Sequence, residues 1–136
     1  MASLKLKIMV SDSLILETFI YEVVLSTTTG QIGIQGEHIG LITTLDVGVL
    51  RYKENKTAKW KPIIALGGVA KIKDNEVLVL AGGVEEISKE SKDQDQKSFS
   101  EAIQNMANAD TVKKTLIASQ KLKRASARVQ GQEFLD

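Results

Sequence analysis

Residues 65–80 read "ALGGVAKIKDNEVLVL". Val69 and Ile72 lead into Asp74-Asn75, and Val77 and Val79 then take up an apolar period of two. Asp and Asn tolerate positive φ, so the pair predicts a β-hairpin closed by a two-residue turn. Gly67-Gly68 and Gly82-Gly83 fall beside the predicted strands, where a bulge or a close backbone approach accounts for them. A nucleotide loop would need such glycines to open a helix in a βαβ unit, and neither pair does so.

The same period runs back to the N-terminus. Leu4, Leu6, Ile8 and Val10 alternate with Lys5, Lys7 and Met9, and Tyr21, Val23 and Leu25 repeat the pattern. Turn residues divide these runs at Ser11-Asp12-Ser13, Thr28-Thr29-Gly30 and Glu54-Asn55-Lys56. Short strands at such intervals, with no room for crossover helices, predict an antiparallel β-sandwich or barrel.

After residue 87 the period changes. Phe99, Ala102, Ile103 and Met106 fall within an arc of about 100° at helical spacing. Ser98-x-x-Glu101 has the form of a capping box, with Ser88 as the alternative start. Asp110 is the expected N-cap of a second helix running to Gln130, and Gly131 suits its end. Two helices joined by a short turn predict an antiparallel hairpin. The chain therefore divides into an antiparallel β-sandwich or barrel over 1–86 and a helical hairpin over 87–136, an α+β fold.

The second helix carries Lys113, Lys114, Lys121, Lys123, Arg124 and Arg128 between Thr111 and Gln130, and no acid. Lys113, Lys114, Lys121, Arg124 and Arg128 share an arc of roughly 100°. Its apolar residues split into two flanks, Val112 with Leu116, and Leu122 with Ala125 and Val129. Like charges four residues apart repel. The arc is either a solvated face or one that awaits an acidic partner.

The chain has 136 residues, is 43% hydrophobic and 26% charged, and carries a net charge of +1. It thus suits a globular chain without a global pull towards nucleic acid or membrane. Its lack of cysteine excludes disulfides, thiolate nucleophiles and zinc–thiolate sites. The apolar run 63–70 is far too short to span a bilayer, so membrane association is expected only through a partner. His38 is the lone histidine. With Glu37 it lacks the second histidine of a usual metal-ligand set. Asp93 and Asp95, in "KESKDQDQK", lack the glycine and closing glutamate of an EF-hand and read as a solvated loop or first helical turn. No cofactor is predicted. A nucleic-acid module with a basic helical tail is the competing reading, though that helix offers no aromatic residue for base stacking.

The segment "TGQIGIQGEHIGLITTLDVGVLR", residues 29–51, resembles the signature of the epsilon subunits of rotary ATP synthases, especially the chloroplast and cyanobacterial branch. Gly30-Gln31-Ile32-Gly33, His38 and Leu45-Asp46-Val47-Gly48 carry the likeness. "ALGGVAKIKDNEVLVL" is similar to the family's Met-Gly-Gly-Phe-Ala strand and Asn-Asn hairpin, and "KRASARVQ", residues 123–130, to the branch's basic ending. The likeness runs from about Leu4 to Gln130. There are departures. Gln35-Gly36-Glu37 and Ile39-Gly40 stand where the family commonly has proline on both sides of the histidine, which should loosen that loop. Residues 87–92, Ile-Ser-Lys-Glu-Ser-Lys, lack the acid and arginine with which some bacterial relatives bind ATP, so no ATP binding is expected.

The resemblance implies a non-catalytic subunit of the rotating central stalk, coupling proton-driven rotation to ATP synthesis. Its sandwich would bind the gamma subunit and the c-subunit ring, with Gly30, Gln31, Gly33 and His38 as ring contacts. Its hairpin would inhibit ATP hydrolysis by setting Lys113, Lys114, Lys121, Arg124 and Arg128 against an acidic segment of the catalytic beta subunit. The split apolar flanks predict a hairpin only weakly packed on the sandwich. The implied location is peripheral, on the stromal face of the chloroplast thylakoid or the cytoplasmic face of a cyanobacterial one.

Overall fold

Alternation puts large apolar side chains on one face of each strand, and that face must find a partner layer. In the structure, a computed structural model that describes residues 4–135, β1 (Leu4–Val10) buries Leu4, Leu6 and Ile8 completely and turns the lysines between them outward. There follow β2 (Ser13–Ile20), β3 (Glu22–Thr27), β4 (Gly30–Gln35), β5 (Leu41–Lys53), β6 (Lys61–Lys73), β7 (Glu76–Ala81) and the short β8 (Val84–Glu85). A 3-10 turn at Lys89–Ser91 leads to α1 (Lys92–Asn108) and α2 (Val112–Gln132).

The strands form one hydrogen-bonded sheet in the order β2-β1-β7-β6-β5-β3-β4, with β8 on the first half of β6. The sheet folds over on itself. Pairing of β5 with β6 skips from Leu45↔Gly68 to Val47↔Leu66, and Gly67 and Gly68 take φ of 76° and 131° there. A side chain at Gly68 would strike the carbonyl oxygen of Leu80. The register is the same on both sides of the gap, so this corner is no bulge but the close backbone approach that the glycines also predicted. Leu4, Leu6 and Ile8 of β1 and Val77 and Val79 of β7 meet Val23, Leu25, Ile34, Leu50 and Tyr52 of the other layer in one core. The sandwich is antiparallel except at one place: β1 lies parallel to β7. The predicted hairpin turn is present, with Asp74 and Asn75 at φ of 53° and 59°, the two positive values of a type I′ turn.

The run Gly48-Val49-Leu50 is buried throughout because β5 is covered on both sides. Leu50 faces the sandwich core, while Val49 joins Ile64 and Ala127 in a second cluster beneath α2, flanked by Leu66, Ile87 and Phe134.

Several expected helix boundaries are corrected. Ser98 lies inside α1 and caps nothing; Ser88 instead accepts from the Glu90 amide at 3.2 Å and starts the 3-10 turn. Asp110 is not the cap of α2: Thr111 is, its hydroxyl accepting from the Lys114 amide at 3.1 Å. Gly131 does not end α2 but lies within it, buried against Ile87 and Val49, where a Cβ would strike the Ile87 side chain. Asp95 stands in the first turn of α1, as one reading had it, but is buried rather than solvated.

Candidate functional site

Two groups of residues were singled out, one along β4 and the loop after it, the other along α2. β4 is an edge strand, paired only with β3. Its core-facing residues are Ile32 and Ile34, so Gln31, Gly33 and Gln35 share the opposite face. By register Gln31 stands opposite Ser26, and Gly33 opposite Val24. The turn that delivers them is shaped by Thr27, whose buried hydroxyl donates to the Gly30 carbonyl at 2.5 Å. Gly30, with φ of 129°, follows it. A side chain at Gly33 would come within 3.3 Å of the Glu22 carboxylate, which already accepts from Gln35 at 3.3 Å.

The structure brings Gly30, Gln31 and Gly33 together but leaves His38 apart. Four strand rises, about 13 Å, separate Gln31 from Gln35, and His38 lies beyond, in the crossing from β4 to β5. The crossing that lost its prolines is pinned instead by hydrogen bonds. The Glu37 amide, at φ of 63°, donates to Asn75 Oδ1 at 2.5 Å, and His38 Nδ1 lies 2.7 Å from the Ile39 carbonyl. His38 therefore sits beside the β6–β7 hairpin rather than beside Gln31. Among the described residues, no three His, Asp or Glu side chains cluster so as to hold a metal ion.

The basic arc of α2 is not one surface. At the sandwich end Glu85 of β8 takes both arginines. Its Oε1 accepts from Arg124 Nη2 at 2.5 Å and Arg128 Nη2 at 3.0 Å, and its Oε2 from Arg128 Nε at 3.0 Å. Burial alone would push the Glu85 carboxyl up; the hydrogen bonds and charges of Arg124 and Arg128 outweigh it and hold the group below the usual carboxylate range. Lys123, off the arc, reaches Asp46 of β5 at 3.3 Å. At the far end Lys114 pairs with Asp110 at 3.3 Å. Among the described residues no acid pairs with Lys113 or Lys121. Near them Val112 and Leu116 are 79% and 63% exposed. The nucleic-acid reading needs a bare basic stripe, and the two arginines and Lys114 do not supply one.

Sequence reasoning missed three docking features. Glu85 is one. Another is a stack at the end of the helix, where the Arg51 guanidinium lies 4.7 Å from the Phe134 ring centroid and 5.0 Å from that of Trp60, with Lys53 4.7 Å from Trp60 on the same strand. Trp60, expected as core or edge packing, is thus half-buried between two cations. Among the described residues Arg51 Nε is buried without a hydrogen-bond partner; the guanidinium is held by the two rings, not by this edge. The third is Gln132, which donates to the Ser88 carbonyl at 2.7 Å and to buried Asp95 at 2.8 Å, tying α2 to the linker and to α1. The abundance of arginine in 124–128 was the only signal in the sequence. The one partner, Glu85, lies 39 residues from Arg124 and 43 from Arg128.

Residues 3–87 match the family described as "ATP synthase, Delta/Epsilon chain, beta-sandwich domain". The chain is 46% identical to "ATP synthase epsilon chain, chloroplastic" of Pylaiella littoralis, over 98% of this chain and 99% of that one. It is 40% identical to the protein of the same name from Thalassiosira pseudonana, over 96% of each. In fold it is similar to a chain in a cryo-EM structure of the Euglena gracilis mitochondrial ATP synthase, with a TM-score of 0.77 at 20% identity, covering 93% of this chain and 79% of that one.

Proposed function

The chain belongs to the ATP synthase delta/epsilon family, and from that premise we propose a division of labour in which the sandwich fastens it to the rotor and the hairpin governs hydrolysis. It is a central-stalk and regulatory subunit of the proton-translocating ATP synthase, with the gamma subunit and c-ring as partners. It is peripheral to the thylakoid membrane through that complex. No helix of the described residues is long and apolar enough to cross a membrane. The subunit carries out no catalysis of its own; it transmits torque and sets the rate at which others hydrolyse ATP.

One observation carries the division: α2 meets the sandwich through a small apolar cluster around Ala127 and Gly131, flanked by Ile87 and Phe134, and through exchangeable ion pairs, whereas the sandwich is closed by a much larger core of Leu, Ile and Val. A close-packed core resists displacement and suits torque transfer. A surface held by one small apolar cluster and partly exposed charge pairs separates more readily than such a core. Once released, the basic face of α2 meets an acidic segment of the catalytic beta subunit.

The edge strand supports the rotor half. Among the described residues no strand pairs with the outer side of β4, and an open edge is a template on which another chain can pair. Gly30, Gln31 and Gly33 on that edge contact the c-ring, and His38 makes a separate contact from the crossing loop. In a reconstituted synthase, Gln31→Ala with His38→Ala is expected to weaken assembly and proton-coupled synthesis; unchanged synthesis would remove these residues from the interface. For the hairpin, an ATPase core carrying a chain ended at residue 88 is expected to bind the rotor as before and hydrolyse faster than with the full chain. Equal hydrolysis from the two chains would refute the regulatory half.

A further inference from the structure

Glu85 stands at a junction. It ends β8, opposite Ile64 of β6, and the next residues are the link to the hairpin. Its single carboxylate serves two guanidiniums, so the cluster keeps one surplus positive charge. The side chain is 22% exposed and those of Arg124 and Arg128 are 45% and 32% exposed, which lets water and a competing anion reach the contacts. Glu101 lines the cleft that holds Lys121, Arg124 and Arg128, but accepts no hydrogen bond from them among the described residues. The acid is on the sandwich and the bases are on the hairpin, so breaking these pairs and undocking α2 are one event.

From this arrangement we infer that Glu85 is an internal stand-in for the acidic partner. It occupies Arg124 and Arg128 while the hairpin is docked, and it leaves Lys113 and Lys121 open throughout. The inference rests on the reading of the hairpin as the inhibitory element. It divides the basic face by availability. An acidic protein segment meets the lysines and the exposed Val112 and Leu116 first, with the hairpin still docked. The arginines are delivered only to a segment that offers more negative charge than the one carboxylate it displaces, because a ligand shifts the two states by its differential affinity alone. Glu85 thus sets the threshold of inhibition without touching the catalytic subunit.

The test uses the reconstituted ATPase core with the full chain, Glu85→Gln, and the chain ended at residue 88. Glu85→Gln is expected to lower the concentration giving half-inhibition by about two- to tenfold, the scale of a partly exposed ion pair. In the free full-length chain, amide hydrogen exchange over residues 122–132 should accelerate in Glu85→Gln, with that of β1 unchanged, which also establishes that the sandwich is folded. Inhibition by Glu85→Gln that is equal to or weaker than that of the full chain overturns the inference. So does unchanged exchange in α2. If the shortened chain still loses inhibition in either case, the regulatory reading stands and only the role of Glu85 falls. If the shortened chain inhibits like the full one, both fall.

Discussion

Leu4, Leu6, Ile8, Val23, Leu25 and Ile34 have no exposed surface and interlock across two layers, whereas the hairpin buries Ala102, Ala118, Ala125, Ala127 and Gly131. The first set removes much apolar area per residue; the second removes little and allows close backbone approach. The hairpin makes up the difference with polar ties: Glu85 to two arginines, Asp46 to Lys123, and Gln132 to Ser88 and Asp95. Such ties gain little over their hydration and can be exchanged for a partner's groups. Two parts of one chain are thus held by means that differ in how readily they are undone.

The strongest way to break this contrast is in the core. Leu6→Ala should destabilise the sandwich by about 2–5 kcal/mol, by lost burial and a residual cavity, read as a lower midpoint in denaturant for the sandwich. A denaturant midpoint close to that of the unaltered chain would deny the sandwich its tight packing. Next is Gly131→Leu. A side chain there strikes Ile87 and stands close to Val49, and overpacking of this kind costs about 1–3 kcal/mol. The expected outcome is an undocked hairpin on an intact sandwich: proteolysis between residues 86 and 92 should speed up while β1 keeps its slow amide exchange. Simultaneous loss of both would show that the two regions are not separable.

A smaller effect is expected of Phe134→Ala, which removes one face of the Arg51 stack. Cation–π contacts are worth about 0.5–2 kcal/mol. Because Trp60 is the chain's one tryptophan and shares Arg51, its emission should shift on that substitution. An unshifted spectrum would place Trp60 outside the docking contact. The smallest effect is that of acid. The Glu85 carboxyl is held low while docked, so its charged form favours docking. That contribution is complete above the ordinary carboxylate value, about 4.3, and disappears as pH falls through the lowered value of the docked state. Amide exchange of α2 should quicken there beyond its intrinsic pH trend, and less so in Glu85→Gln. Equal behaviour of the two chains would deny Glu85 its part in docking.

The parts read correctly from the sequence were those with local causes. The period of two in Leu4 to Val10 reflects one buried face, and Asp74-Asn75 supplies its own positive φ. Gly131 was misread because a glycine near a helix end has two uses, as a left-handed cap or as a gap for a neighbour. Ile87, forty-four positions earlier in the chain, decides between them. The parallel pairing of β1 with β7 left no mark in either strand, since alternation states which face is buried but not which strand lies alongside. The division of the basic face between Glu85 and solvent was hidden for the same reason. Lys121 and Arg124 look alike in sequence, and only the position of β8 separates them.

The parallel pairing has a consequence for how the chain is made. β5, β6 and β7 are consecutive neighbours, joined by short returns, so they close quickly. β1 leaves the ribosome well before β7, yet Leu6 lies beside Val77, and the long stretch between them must be ordered first. The N-terminal β1–β2 hairpin therefore waits, apolar face uncovered, until most of the chain has been synthesised. Only then does the sandwich close. α2 follows the strands in the chain, so a nascent chain has the means of holding the rotor before it has the means of restraining the motor.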